Sequence, residues 1–111
     1  MKQNPIPQPQ VGAASALVQL LTENPDLPML DWSLPGDAGG ALEGIVVNGG
    51  VDMRPVVDAY AVALGGVVSE FEFVGSVGRM YSATLFVTWR DVRVRVKGIC
   101  SAAAHTTAVA V

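Results

Sequence analysis

The sequence predicts a two-layer α+β domain of order α-β-β-α-β-β-β, an antiparallel sheet of about five strands with two helices on one face. Three observations carry that expectation. Apolar residues recur at spacings of three and four in two segments, alternate with polar residues in the others, and Pro or Gly clusters separate the segments.

The first helix is expected from about Ala13 to Glu23, where Leu17, Leu20 and Leu21 share a stripe, and Asn24-Pro25 ends it because a residue before proline avoids the helical region. Leu30, Trp32 and Leu34 alternate with Asp31 and Ser33, the pattern of a half-buried strand. After the Pro35-to-Gly40 turn, Ala41 to Val47 completes a hairpin. Asn48-Gly49-Gly50 breaks that strand. Asp52 then caps a second helix, Met53 to Leu64, with Pro55 in its first turn and Gly65-Gly66 as its stop. Three strands follow, near 67–74, 80–89 and 92–99, joined through Gly75-Ser76-Val77-Gly78 and Arg90-Asp91.

The last hairpin is the most legible segment. With Arg90-Asp91 as a two-residue turn, Trp89 pairs with Val92, Val87 with Val94 and Leu85 with Val96 on the core face. The outer face then carries Thr88 beside Arg93, Phe86 beside Arg95 and Thr84 beside Lys97. For the preceding strand, burial of Phe71 against Tyr81 is expected. That needs a connection of about five residues and leaves Glu70, Glu72, Val68 and Val74 on the outer face, near enough for ion pairs with Arg93 or Arg95. Ile99 and Ile45 or Val47 would join them there. An open face with so many apolar side chains calls for a cover, and a second copy of the chain is the simplest one.

At both ends the composition suggests loose order: a flexible, Pro-rich arm over 1–10 and an Ala/Thr-rich tail over 101–111, flanking a single domain at 11–100. Net charge is −3, but the distribution is uneven. Residues 1–75 hold two cations against nine acids, whereas 76–111 hold five cations against one acid. An acidic body thus carries a basic ribbon, whose Arg93, Arg95 and Lys97 interleave with Thr and Phe86 in a way that suits nucleic acid.

Most chemistries lack their residues. The one cysteine, Cys100, allows no internal disulfide and reads as a small buried apolar residue, which fits a reducing cytoplasm. The one histidine, His105, falls in the tail, where nothing in the sequence would hold a general base in place. Glu70 and Glu72 share a strand face but no metal motif, and no phosphate-loop or dinucleotide fingerprint is present. No catalytic, metal or cofactor residues are expected, and neither a secretory leader nor a membrane span.

NPDLPxxxW from Asn24, VDxRPVVxAYAxALGG from Val51 and WRxVRVxV from Trp89 resemble a family of small uncharacterised actinobacterial proteins, some carried near integrative or phage-like elements. The resemblance covers about residues 14–98 and implies a bacterial cytoplasmic accessory protein, with no assigned activity. The expected function is therefore a non-enzymatic interaction protein, homodimeric through its open sheet face. The alternative is a nucleic-acid-binding protein using the basic hairpin. Candidate contact residues are Phe86, Thr88, Arg93, Arg95, Lys97, Glu70 and Glu72.

Overall fold

The computed structural model describes residues 9–37, 39–46 and 52–109. The expected N-terminal arm up to residue 8, Val47 and the 48–50 break lie outside the described residues. The domain is α+β: a five-stranded mixed sheet with three helices on one side.

Helix α1 spans Pro9–Glu23, starting inside the expected arm, because a proline at the first helical position costs no hydrogen bond. Strands β1 (Asp31–Ser33) and β2 (Leu42–Ile45) form the first hairpin. Helix α2 (Arg54–Leu64) has Pro55 in its first turn and ends at Gly65, whose φ of 82° suits glycine and whose N–H donates to Ala61 O at 2.8 Å. Strands β3 (Val67–Gly75), β4 (Gly78–Trp89) and β5 (Val92–Ser101) form a meander.

Strand order is β1-β2-β5-β4-β3, and β2 runs parallel to β5, so the expected all-antiparallel sheet is corrected to a mixed one. The reason is directional. Helix α2 returns the chain between β2 and β3, so β3 starts in the direction of β2, and two reversals later β5 has it again.

Where a loose tail was expected, residues 102–109 form a third helix, α3, leading directly out of β5. Ala-rich sequence favours helix, and Ser101 Oγ accepts a hydrogen bond from the Ala104 N–H at 3.0 Å, satisfying one donor of its first turn. The helix packs on the same side as the others, with Ala102 buried against the sheet.

The core lies between sheet and helices. Tyr81, Ala83 and Leu85 from β4, and Val94, Val96 and Cys100 from β5, meet Leu20, Met53, Val57, Tyr60 and Leu64. Two close approaches set this layer. A Cβ on Gly98 would fall 2.7 Å from Met53 Cβ, so α2 can begin against β5 only because that position is bare, and a Cβ on Gly44 would fall 2.9 Å from the Trp32 ring. Trp32 meets Tyr60 edge-on at 5.8 Å, and the Tyr60 hydroxyl donates to the Pro28 carbonyl. Burial pushes the Tyr60 phenol pKa up.

The β4–β5 register matches expectation at every pair, from Trp89 with Val92 to Thr84 with Lys97. The β3–β4 register does not. Gly75 pairs with Gly78 around a tight Ser76-Val77 turn, so Phe71 lies opposite Ser82 and Glu72 opposite Tyr81. Glu70, Glu72 and Val68 therefore stand on the helix side, and Phe71 and Phe73 on the open side, the reverse of the expected arrangement. Glu70 pairs with Arg54 and Glu72 with Arg79, in place of the expected Arg93 or Arg95. A one-residue shift exchanges the faces of a strand, and β3 is an edge strand where the helix layer gives out, so its glutamates reach solvent and cations there.

Candidate functional site

Alternation along β3, β4 and β5 brings one set of side chains to the open face, which no helix covers among the described residues. That face divides into two zones. Toward the β3–β4 turn it is apolar: Phe71 (58% exposed) and Phe73 lie side by side on β3, with ring centroids 5.7 Å apart. They continue through Met80 and Ser82 on β4 to Ile99 on β5. Ser82 is fully buried beneath these neighbours, and its Oγ has no hydrogen-bond partner among the described residues. Val67, 80% exposed, lies at the other end of β3, beside Phe86.

Toward the β4–β5 turn the face is cationic. Arg93 and Arg95 point outward beside Thr88 and Phe86, as expected, with Lys97 one step nearer the apolar zone. Arg95 Nη2 pairs with Glu43, its parallel neighbour on β2, and its guanidinium lies 5.7 Å from the Phe86 ring. Arg95 Nε is buried without an acceptor among the described residues. Arg93 Nη1 reaches the Gly39 carbonyl only at 3.5 Å. A cleft of about 480 Å³ opens here between the β1–β2 connection at Gly39 and Gly40 and the side chains of Phe86, Thr88, Arg93 and Arg95.

The hairpin turn itself is anchored away from this face. Arg90 donates to both oxygens of Glu23, at 2.7 and 2.6 Å, and to Gln19 Oε1 at 2.7 Å, while stacking over Trp89 at 4.1 Å. These bonds pull the Glu23 carboxyl pKa below its ordinary value. Arg90 and Asp91 both have positive φ, 52° and 67°, as a tight hairpin turn requires.

A second polar cluster lies on the helix side, and the sequence did not reveal it. His105 of α3 holds Asp52 through Nδ1 at 2.8 Å, and its ring stacks on Tyr81 at 3.8 Å and 2°. The cap position is Met53, one residue later than the expected Asp52, because the helix begins at Arg54; the Asp52 carboxylate accepts from the Arg54 N–H at 3.2 Å and meets His105 with the same oxygen. Arg54 bonds Asp58 at 2.8 Å, the Tyr81 hydroxyl at 3.3 Å, and Glu70. Its pKa is raised chiefly by Asp58, while burial raises that of the Tyr81 phenol. This cluster ties α3, α2 and β3 to one point of the sheet. Only the order of α3 brings His105 there, and an Ala/Thr-rich stretch gave no sign of it.

Cys100 is buried and unpaired opposite Tyr81. No group of three or more metal-ligating side chains occurs among the described residues, and no described helix is long and apolar enough to cross a membrane. Comparison with family models, curated proteins and solved structures finds no match to this chain.

Proposed function

We propose that the protein is a non-enzymatic interaction module that pairs with a second copy of itself through the apolar zone of the open sheet face. The observation that carries this reading is the contiguous exposure of Phe71, Phe73 and Ile99, joined through Met80 and Ser82 across three strands. Single exposed apolar residues are ordinary on a surface, but a connected patch of them is not.

Symmetry and charge favour a second copy as the occupant. Three strands spaced about 4.8 Å apart and about 20 Å long make a zone of roughly 300 Å², so two copies bury on the order of 600 Å², a small contact that suits a weak, concentration-dependent dimer. A two-fold axis through Ser82 sets apolar zone on apolar zone and carries Arg93 and Arg95 of the two copies to opposite ends. Pairing of β3 edges is disfavoured by contrast, because an antiparallel match centred on Phe71 sets one copy's Glu70 against the other's Glu72.

Nucleic acid on Arg93, Arg95 and Lys97 is the weaker reading. Asp31 and Glu43 stand on the same face and interrupt the cationic row that a polyanion would follow, and the whole chain carries −3. A bacterial cytoplasmic accessory role, which the sequence resemblance implies, is compatible with a dimer and requires no catalysis.

Light scattering during size exclusion tests the proposal. The wild type should run at twice 11.6 kDa as concentration rises through the micromolar range, and Phe71→Glu/Phe73→Glu should stay monomeric with unchanged circular dichroism. A wild type that remains monomeric at about 100 μM overturns it.

A further inference from the structure

The cleft at the cationic end of the open face has features that the dimer does not use. It lies beyond the apolar zone, near the β4–β5 turn, and its walls combine two guanidinium groups, a hydroxyl, an aromatic ring and the Gly39-Gly40 backbone. Its volume of about 480 Å³ falls within the range of small-molecule sites. No carboxylate lines it among the described residues, since Glu43 holds Arg95 from outside the cleft walls.

We propose that this cleft binds a small ligand that joins a phosphate group to a flat ring, as a mononucleotide does. Arg93 and Arg95 alternate on one strand, so their side chains leave the same face from Cα atoms about 7 Å apart by strand rise, and two such long side chains can both donate to one tetrahedral oxyanion. Arg93 has only one long contact to a carbonyl, while Arg95 keeps Nη2 on Glu43 and its Nε is buried beneath the exposed end of the group. The Arg95 side chain is 40% exposed, so its guanidinium can turn toward an incoming anion. Thr88, paired with Arg93 across the strands, adds a hydroxyl donor. Phe86, 60% exposed, offers its ring as a platform for the flat part of the ligand. A polymer fits less well, because Asp31 and Glu43 interrupt any path of phosphates along the face.

Isothermal titration calorimetry at low salt with AMP, adenosine, inorganic phosphate and a ten-nucleotide oligo-dT tests this. AMP should bind saturably and about tenfold more tightly than either adenosine or inorganic phosphate, because each of those keeps only one of the two contacts. Arg93→Met/Arg95→Met should abolish AMP binding, and Phe86→Leu should weaken AMP without changing the response to phosphate. Thermal melts establish that each variant is folded. The monomeric Phe71→Glu/Phe73→Glu variant should bind AMP as the wild type does, so loss of the dimer and loss of this site are separable. No saturable heat with AMP at about 5 mM, or unchanged binding in the double Arg variant, overturns the proposal. Oligo-dT binding more tightly than AMP with a steep salt dependence overturns it too, in favour of a single-stranded polymer.

Discussion

The two hairpins that share β4 have equally tight turns and opposite polarity. In β4–β5 the valines face the helices and the arginines face out, whereas in β3–β4 the glutamates face the helix side and the phenylalanines face out. The difference follows from cover. Helix α2 lies across β4 and β5, so that face must be apolar, but it reaches only the start of β3, where Val68 is half-buried. Past that point the helix-side face of β3 is wet, and Arg54 and Arg79 neutralise its glutamates. Phe71 and Phe73 are left on the face that no helix covers among the described residues, which is where an interaction surface is expected.

The comparison breaks most visibly where the helix layer is densest. Leu85→Ala, in the covered part of β4, should cost about 3 kcal/mol in urea unfolding through the cavity it leaves; a cost below about 1 kcal/mol would mean that α2 does not seal this face. Arg54→Met should cost about 1 kcal/mol, since partly exposed pairs are individually weak but one guanidinium serves three partners. The double variant Arg54→Met/Glu70→Gln should lose little more, and additive losses would separate the two residues.

Asp91→Gly should stabilise the β4–β5 turn by about 0.5 kcal/mol, because glycine accepts the positive φ without steric cost; a lower melting temperature would show that the Asp side chain is needed there. Phe71→Ser should change monomer stability by less than about 0.5 kcal/mol while weakening self-association, and a large loss of stability would place Phe71 in the monomer's core instead. The smallest effect is pH-dependent. Glu23 has a lowered pKa in the folded state, so its pair with Arg90 stabilises above the ordinary carboxylate range and fades as pH falls through the folded value. The melting temperatures of Glu23→Gln and wild type should therefore converge on acidification, and a gap that persists in acid would assign the effect to packing.

Much of the β4–β5 half is legible in the chain alone. The Val92-to-Lys97 alternation and the Arg90-Asp91 turn determined every pair of the last hairpin, because two-residue turns leave no freedom of register and the valines admit only one buried face. The same logic failed one strand earlier, since burying Phe71 presumed that the helix layer extends over the whole of β3, and among the described residues it does not. Gly75 and Gly78, symmetric about Ser76-Val77, were the signal that argued the other way. The outward placement of Phe86, Thr88, Arg93, Arg95 and Lys97 was legible. The addition of Phe71 and Phe73, the Glu43 partner of Arg95, and the cleft beside Gly39 was not.

By itself the sequence determined the α+β class, the succession of elements up to β5, the core stripe of α2 and the basic outer row of β5, all of which follow from local periodicity and turn chemistry. Tertiary structure alone decided the parallel β2–β5 pairing, the ordering of α3 around His105, and which face of β3 is open. Each of these depends on where the helix layer ends and which distant strand lies alongside, and a periodic pattern along one chain segment carries no information about either.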